Sequence, residues 1–246
     1  MENNNWNFSQ SNSQSISGSD SSSMSKTFMA NVFSWMFAAL TITAVIAYWF
    51  SSDLSMMQPL IKADGTGLSI LGWVVMFAPL GFALIMGFAF NKLSYPVLLT
   101  LFLAYAAING VSFSFIFLAY TAASIFKTFA IAAGMFGVMA VLGYTTKQDL
   151  TSFGKIMMMG LIGIIIASLV NFFLKSSAME YIISIIGVVV FTGLTAYDVQ
   201  KLKNIGTGTE LDGATGSKLA IMGAFNLYLD FINLFLMLLR LFGDRK

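Results

Sequence analysis

The stretch FNLYLDFINLFLMLLR, residues 225–240, places one carboxylic acid, Asp230, in the middle of a strongly apolar run. The nearest basic residues are Lys218 before it and Arg240 at its end. On a helix rising about 1.5 Å per residue, Asp230 lies roughly 18 Å from Lys218 and roughly 15 Å from Arg240. That depth is near the centre of a bilayer, where an Asp costs about 2.5 to 3.5 kcal/mol on insertion scales. An acid kept at such a cost predicts a functional site.

The neighbours of Asp230 at helical spacing are polar as well. Asn226 precedes it by four residues and Asn233 follows it by three, so the three side chains share one face of a helix. A polar stripe on an apolar membrane helix must face the interior of a bundle or water. We therefore predict that Asp230 faces other helices or a water-filled space.

The composition of the whole chain is that of an integral membrane protein. Of its 246 residues 57% are hydrophobic and only 10% are charged, which is far from the usual composition of a soluble domain. The net charge is only +2 and there is no basic block, so we exclude nucleic acid as a partner. Because the chain has no Cys and no His, any proton or cation chemistry must use carboxylates, amides, hydroxyls and backbone oxygens. We expect no enzymatic activity and no cofactor.

The hydrophobic segments predict the fold class, an all-α polytopic membrane protein with a bundle of seven transmembrane helices. Each segment is near the ~20 residues needed to cross a bilayer. They cover 28–50, 68–91, 95–119, 127–146, 155–174, 179–200 and 218–241. Residues 27–246 form one transmembrane domain, and residues 1–26, rich in Ser and Asn, are predicted to be a disordered tail. Close helix approach is predicted at Gly134, Gly137, Gly160 and Gly163.

The basic residues predict the orientation of the chain. With the N-terminus in the cytoplasm, the inner ends carry Lys26, Lys92, Lys147, Lys155, Lys201, Lys203 and Lys218, and the outer loops carry Lys62, Lys127 and Lys175. This excess favours a cytoplasmic N-terminus. An odd number of helices then sends the basic end, Arg240, Arg245 and Lys246, outward, against the rule. A re-entrant last segment, which would return the tail to the cytoplasm, is an alternative.

A second acid, Asp198, ends the sixth segment, with Thr195 one turn before it and Lys201 just beyond. Its position allows two interpretations. Beside lysines at a helix end, it is solvated at the membrane interface; alternatively, it meets Asp230, because the sixth and seventh helices are sequential and antiparallel. The predicted depths argue against contact, since Asp198 is shallower by up to two turns.

Three stretches of the chain carry a family signature: FNLYLDFINLFLMLLRLFG, FTGLTAYDVQKLKN and GYTTKQDLTSFGKIMMMG. In these blocks the sequence resembles the transmembrane Bax-inhibitor-motif family, in its bacterial branch. The resemblance implies a seven-helix fold in the bacterial inner membrane, with the last helix central and surrounded by the other six. It also implies a pH-sensitive calcium leak, suppression of cell death in eukaryotes, and, for a bacterial relative, a link to a membrane-anchored quality-control protease.

The resemblance also implies roles for individual residues. Asp198 in TAYD and Asp230 in LYLD match the paired acidic sensor of the family. In bacterial relatives a basic residue near the end of the second helix latches onto the acid of the sixth, and Lys92 in FAFNKLSYP is the nearest match. The resemblance thus favours contact between Asp198 and Asp230 over the interfacial interpretation of Asp198.

Paired acids can work as a proton switch. Two carboxyls at one site cannot both ionise at low cost, so the pair holds one proton and clamps its two helices, whereas full ionisation repels them. Ca²⁺ prefers oxygen ligands, and Asp198 and Asp230 supported by Asn226, Asn233 and Thr195 offer it a weak site. Our hypothesis is a pH-gated leak of cations, with Ca²⁺ as the favoured ion.

Three other classes of protein are weighed against this hypothesis. A non-transporting interaction protein would modulate a membrane-anchored quality-control protease through the Ser/Asn-rich tail. An intramembrane aspartyl protease also needs two membrane acids, but its second acid sits in a GxGD-like motif, which LTAYD and LYLDF lack. A secondary transporter would show an internal inverted repeat, and none is visible.

Overall fold

The computed structural model describes residues 18–62, 64, 67–208 and 213–246, and this part of the chain is helical apart from turns and two isolated β-bridges. The helices are α1 (Gly18–Ser52), α2 (Leu54–Met57), α3 (Ile70–Ala89), α4 (Tyr95–Ala119), α5 (Ala122–Thr145), α6 (Thr151–Leu174), α7 (Ser177–Gly206) and α8 (Gly213–Phe242). All except the one-turn α2 are long and apolar enough to cross a membrane. The predicted all-α fold with seven spanning helices is confirmed.

Helix ends differ from the predicted segments where lysines stand near the boundary. Helix α5 begins at Ala122 rather than 127, because the Thr121 hydroxyl accepts a hydrogen bond from the Ser124 amide and caps the helix one turn before Lys127. Helix α7 continues to Gly206 rather than ending at 200, and α8 begins at Gly213 rather than 218. Lysines mark the edge of the hydrocarbon layer, and these helices extend beyond that edge.

The N-terminal prediction needs a correction. Helix α1 begins at Gly18, so residues 18–26 of the predicted disordered tail are helical. Tertiary packing holds the last residues of this segment in the helix. Ser25 is buried, and its hydroxyl donates to the carbonyl of Lys203 at 3.4 Å. Phe28 packs on Gly206. The prediction for residues 1–17 lies outside the described residues.

The last helix, α8, is the centre of the bundle. Of its most apolar stretch 72% is buried, against 11% for α3 and 6% for α6. Its main neighbours are α1, α4, α5 and α7, whereas α3 packs on α4 and α6 packs on α7. The central position implied by the family resemblance therefore holds, but four helices rather than six form its main packing shell.

Glycines allow close helix approach, though mostly not where the sequence predicted. Only Gly160 of the four predicted glycines is in such a contact, against Val190 of α7; a side chain on Gly134, Gly137 or Gly163 would meet open space. These three glycines do not face another helix in the bundle. The tightest approach involves Gly143 of α5, which lies directly on the backbone carbonyl of Ala196 in α7.

Pro79 interrupts the hydrogen bonding of α3, because proline removes the donor for the carbonyl four residues earlier. That carbonyl belongs to Val75, and the hydroxyl of Ser112 in α4 donates to it at 2.7 Å. A side chain of the neighbouring helix thus satisfies the freed group, as membrane helices require. The same hydrogen bond fastens the peripheral helix α3 to α4.

The start of α1 and the C-terminal residues lie on opposite faces of the bundle. We call the face with the start of α1 and the end of α7 the N face, and the face with the end of α4 and the C-terminal residues the C face. The C-terminal residues are tied there: the amide of Lys246 donates to Ala119 at 3.0 Å, and Arg245 forms an ion pair with Glu180 at 3.2 Å. Because α8 is unbroken from Gly213 to Phe242, the re-entrant alternative is wrong.

Candidate functional site

Two close contacts fix the register of the antiparallel helices α7 and α8. Gly223 of α8 lies against Leu202 of α7, and Gly187 of α7 lies against Met237 of α8. A Cβ atom at either glycine would overlap the partner side chain, so Leu202 or Met237 would have to move. The segment of α8 between these contacts is centred on residue 230, and the facing segment of α7 contains residue 198.

Within this register the side chains of Asp198 and Asp230 lie close enough to interact directly. Asp230 is buried, with 5% of its surface exposed, and Asp198 is half-buried. Among the described residues, no N–H or O–H group donates to Oδ2 of Asp230. Ionised carboxylates only accept hydrogen bonds, so a hydrogen bond between them requires a proton on one of the two. The two acids therefore form a pair, which we call the acid pair.

This proximity favours the paired interpretation of Asp198 over the interfacial one, and it does not agree with the predicted difference in depth. The depth estimate assumed that the sixth helix ended at residue 200. Because α7 runs to Gly206, Asp198 lies about two turns inside the helix rather than at its end. The sequence signal that located Asp198 was the family resemblance, since helical spacing alone left both interpretations open.

The acid pair lines a cavity of about 640 Å³, which we call the acid cavity. Its walls come from α6, α7 and α8, with Leu80 of α3 at one side. Along α8 the lining extends from Asn226 to Arg240, roughly 21 Å at 1.5 Å per residue. The cavity lies between α8 and the helices α6 and α3, and most of its lining residues are apolar.

The predicted supporting residues divide into two groups. Asn226 and Asn233 line the acid cavity, as the polar stripe predicted. The Nδ2 group of Asn233 donates to the Leu229 carbonyl at 2.8 Å. This hydrogen bond does not use the Oδ1 atom of Asn233. Thr195 does not line the cavity: it is fully buried, and its hydroxyl donates to the Phe191 carbonyl of its own helix at 2.8 Å. The structure does not place Thr195 at the cavity, and its supporting role stays a prediction.

The basic residues at the acid cavity are Lys201 and Arg240. Lys201 follows Asp198 by three residues on α7 and interacts with it electrostatically, a spacing that puts both on one helix face. Lys92, the predicted latch, is not among the cavity residues; it is exposed in the 3-10 turn Phe90–Lys92, at the end of a helix that packs on α4. The structure therefore does not bring Lys92 to the acid pair.

The acids have few further ligands for a metal ion. In the described part of the chain, no group of three or more Asp and Glu side chains is arranged to hold a metal. The acid cavity offers two carboxylates and the amide groups of Asn226 and Asn233. Two carboxylates and two amides are fewer oxygen ligands than the six to eight that Ca²⁺ usually takes.

A second polar cluster lies on the opposite side of α8. The Tyr228 hydroxyl is 2.7 Å from that of Thr43 in α1, and the Thr43 hydroxyl lies 2.8 Å from the Ala106 carbonyl of α4. Since Thr43 donates to the carbonyl, Tyr228 donates to Thr43. The rings of Phe102 and Tyr105 pack edge-on against Tyr228. This cluster joins three helices, and its Tyr228 and Thr43 hydroxyls are fully paired.

These features define a polytopic α-helical membrane protein with a buried acid pair beside a cavity. The sequence profile described as "Inhibitor of apoptosis-promoting Bax1" matches residues 25–246. The chain belongs to this family, the Bax inhibitor family, and the resemblance seen in its last four helices is confirmed over the whole transmembrane domain.

Similar proteins come from several bacteria. Inner membrane protein YbhL of Escherichia coli K12 is 47% identical over 222 residues, which cover 90% of this chain and 93% of the relative. A protein of Rickettsia prowazekii is 45% identical over 89% of this chain and 90% of its own length. A protein of Borreliella burgdorferi is also 45% identical, over 89% of this chain and 92% of its own.

Proposed function

We propose that the protein is a pH-sensitive cation leak channel of the bacterial inner membrane, with Ca²⁺ as the favoured ion and the acid pair as its gate. One observation carries the proposal: the carboxyls of Asp198 and Asp230, on antiparallel helices, meet inside a cavity that follows the central helix for roughly 21 Å. A purely structural acid would not need a cavity beside it.

The gate follows from the chemistry of the pair. While Asp198 and Asp230 share a proton, their hydrogen bond holds α7 against α8. When both ionise, the hydrogen bond is lost, and two unit charges about 4 Å apart repel by about 4 kcal/mol at an effective dielectric near 20. Repulsion of this size is enough to shift a helix–helix equilibrium. The leak is therefore closed at low pH and opens as pH rises.

The charges around the acid cavity favour cations only in the open state. Lys201 and Arg240 contribute two positive charges. With one shared proton the pair carries a single negative charge, so the cavity keeps an excess positive charge that repels cations. Loss of that proton removes the excess and frees carboxylate oxygens, which hard cations prefer as ligands. Lysine and arginine thus support the same pH dependence as the acid pair.

The membrane assignment draws on the relatives and on the basic residues. The E. coli relative is called an inner membrane protein, and the two chains correspond over most of their lengths. The excess of lysines at the N face favours a cytoplasmic N-terminus, with the C face outside.

A flux experiment tests the proposal. The purified protein is reconstituted in vesicles loaded with a Ca²⁺ indicator, and influx is measured from mildly acidic to mildly alkaline pH. We expect wild-type influx to rise with pH, and Asp198→Asn and Asp230→Asn to stay low because neither can place two charges at the gate. Asp244→Asn, an exposed acid on the C face, is the charge-matched control and should behave as wild type.

Two results would contradict the proposal. Wild-type influx equal to that of protein-free vesicles would remove the leak and favour a non-transporting protein that modulates a membrane-anchored protease. An alkaline rise that persists in both Asn variants would leave the leak but exclude the acid pair as its gate.

A further inference from the structure

We propose that Tyr197 and Lys201 form a barrier that closes the acid cavity toward the N face, so that its aqueous access is from the C face. This inference deepens the proposed function and rests on it, since it states where the path of the ion is interrupted. It assigns a role to Tyr197, which the acid-pair mechanism does not use, and a second role to Lys201.

The barrier is defined by two neighbouring cavities. Beyond the acid cavity, a second cavity of about 360 Å³ lies at the N-face ends of α6 and α7, and we call it the N-face cavity. Thr151 and Asn204 are among its lining residues. Among the described residues, only Tyr197 and Lys201 line both cavities. The two side chains therefore form the wall between the acid pair and the N face.

The two barrier residues contact each other and the acid pair. The ammonium group of Lys201 lies 6.0 Å from the ring centroid of Tyr197, within the range of a cation–π interaction. The same ammonium interacts electrostatically with Asp198. The charge of Lys201 therefore faces the acid cavity. Its contact with the Tyr197 ring closes the wall between the two cavities. A cation coming from the N face would meet an aromatic ring and a fixed positive charge.

A glycine positions the aromatic half of the barrier. Gly154, in the first turn of α6, lies directly against the ring of Tyr197, and any side chain there would overlap the ring. The missing side chain lets the ring press against α6 and fill the gap between α6 and α7. Gly154 is thus a positioning residue for the barrier.

The backbone around the barrier is fastened, so opening is a side-chain movement. The side chain of Gln200 accepts from the Leu150 amide at 2.8 Å and donates to the Gln148 carbonyl at 2.7 Å, which holds the loop before α6 on α7. Lys203 donates to the Tyr144 carbonyl at 2.7 Å, which holds the end of α5 on α7. The polar bonds at this end of the bundle keep α5, α6 and α7 together.

At the other end, the acid cavity reaches Arg240 near the C face. Arg240 lines the cavity and is exposed. The lining of α8 continues through Asn233 and Met237 to this residue, so the cavity runs along the central helix toward the C face. Access is therefore asymmetric, with a wall on one side and a continuous lining on the other.

Cysteine labelling tests the barrier without any measurement of ion flux, because the natural chain has no cysteine. The reporter is Leu161→Cys in the wall of the acid cavity. Asn204→Cys in the N-face cavity and Asp244→Cys on the C face identify which side is which. A membrane-impermeant cationic methanethiosulfonate is added to right-side-out or inverted membrane vesicles. We expect the reporter to react from the side that labels Asp244→Cys and to be protected from the side that labels Asn204→Cys.

Opening variants complete the test. In the Leu161→Cys background, Tyr197→Ala and Lys201→Ala should each raise N-face labelling from background to the rate of Asn204→Cys. Lys155→Ala, an exposed lysine near the same end of α6 that lines neither cavity, should leave the reporter protected. Retained C-face labelling shows that a variant is folded.

Three outcomes would overturn the inference. The first is labelling of the reporter from the N face without a barrier substitution. The second is protection that persists in both opening variants while C-face labelling is retained. The third is the absence of labelling from the C face. Because labelling does not depend on flux, failure of the leak proposal and failure of the barrier are separate results.

Discussion

Tyr228 and Asp230 are two residues apart on α8 and lie at nearly the same depth, yet their surroundings are opposite. Two residues turn a helix by about 200°, so the side chains point to opposite sides. The Tyr228 hydroxyl is packed among aromatic rings and paired with Thr43. Asp230 faces a cavity, and its partner is another acid, Asp198.

The comparison shows two ways to keep a polar group inside a membrane. A hydroxyl satisfied by a neutral partner stays satisfied at any physiological pH, so Tyr228 is a fixed joint between helices. An acid satisfied by another acid depends on a proton, so the contact of Asp230 with Asp198 can be switched. The central helix thus carries a permanent fastening on one side and a pH-dependent one on the other.

The largest effect is expected from Asp230→Asn on the pH dependence of stability. If the folded pair binds one more proton than the unfolded chain near neutral pH, wild-type stability falls by up to about 1.4 kcal/mol per pH unit as pH rises, or about 4 kcal/mol over three units. The amide of Asn donates to Asp198 without a shared proton, so the variant should keep its stability as pH rises. Thermal unfolding in detergent over this pH range measures the difference. Parallel curves for wild type and variant would show that the two acids do not share a proton.

A smaller effect is expected where α7 rests on α5, on the side away from the switch. Gly143→Ala would push a methyl group into the backbone of α7 at Ala196, and overpacking of this kind costs about 1 to 3 kcal/mol. Gly134→Ala on the same helix meets open space and should be within about 0.5 kcal/mol of wild type. Melting temperatures of the two glycine variants measure the difference. Equal losses of stability would mean that α7 is not held rigidly against α5.

The smallest effect is expected at the fixed joint. Tyr228→Phe removes one hydrogen bond between helices, and such bonds in membrane proteins contribute about 0.6 kcal/mol on average and at most about 1.7. The loss should be the same at every pH, and the pH response of ion flux should be unchanged. A Tyr228→Phe protein with an altered pH response would break the distinction between the two sides of α8.

The fold was predictable because hydropathy alone identifies helices that cross a membrane. The ends of those helices were not predictable from hydropathy. Thr121 caps α5 before its lysine, and α7 continues past Lys201 and Lys203. This error in the ends produced the wrong depth for Asp198. Glycine spacing was a poor guide too, since Gly134 faces open space. A glycine in the sequence does not say which side of its helix meets a neighbour.

The site was predictable in part. Asp230 and its asparagines followed from the cost of an acid in a membrane and from helical spacing. Thr195 does not line the cavity; a threonine in a helix can satisfy its hydroxyl with its own backbone, as Thr195 does at the Phe191 carbonyl. The helical spacing between Asp198 and Lys201 can be seen in the sequence. No pattern in the sequence indicates Tyr197 or its contact with Gly154. Contacts between helices depend on rotation and register, which hydropathy does not encode.

The shared proton is the central claim, and infrared spectroscopy of the protonated carboxyl stretch tests it most directly. At neutral pH the exposed acids are ionised, so a protonated band reports the acid pair. We predict that wild type shows this band at neutral pH, that it disappears as pH rises through the range in which flux increases, and that Asp230→Asn lacks it because Asp198 beside Lys201 is then ionised. A wild-type spectrum without the band at neutral pH, or an unchanged band in Asp230→Asn, would contradict the account.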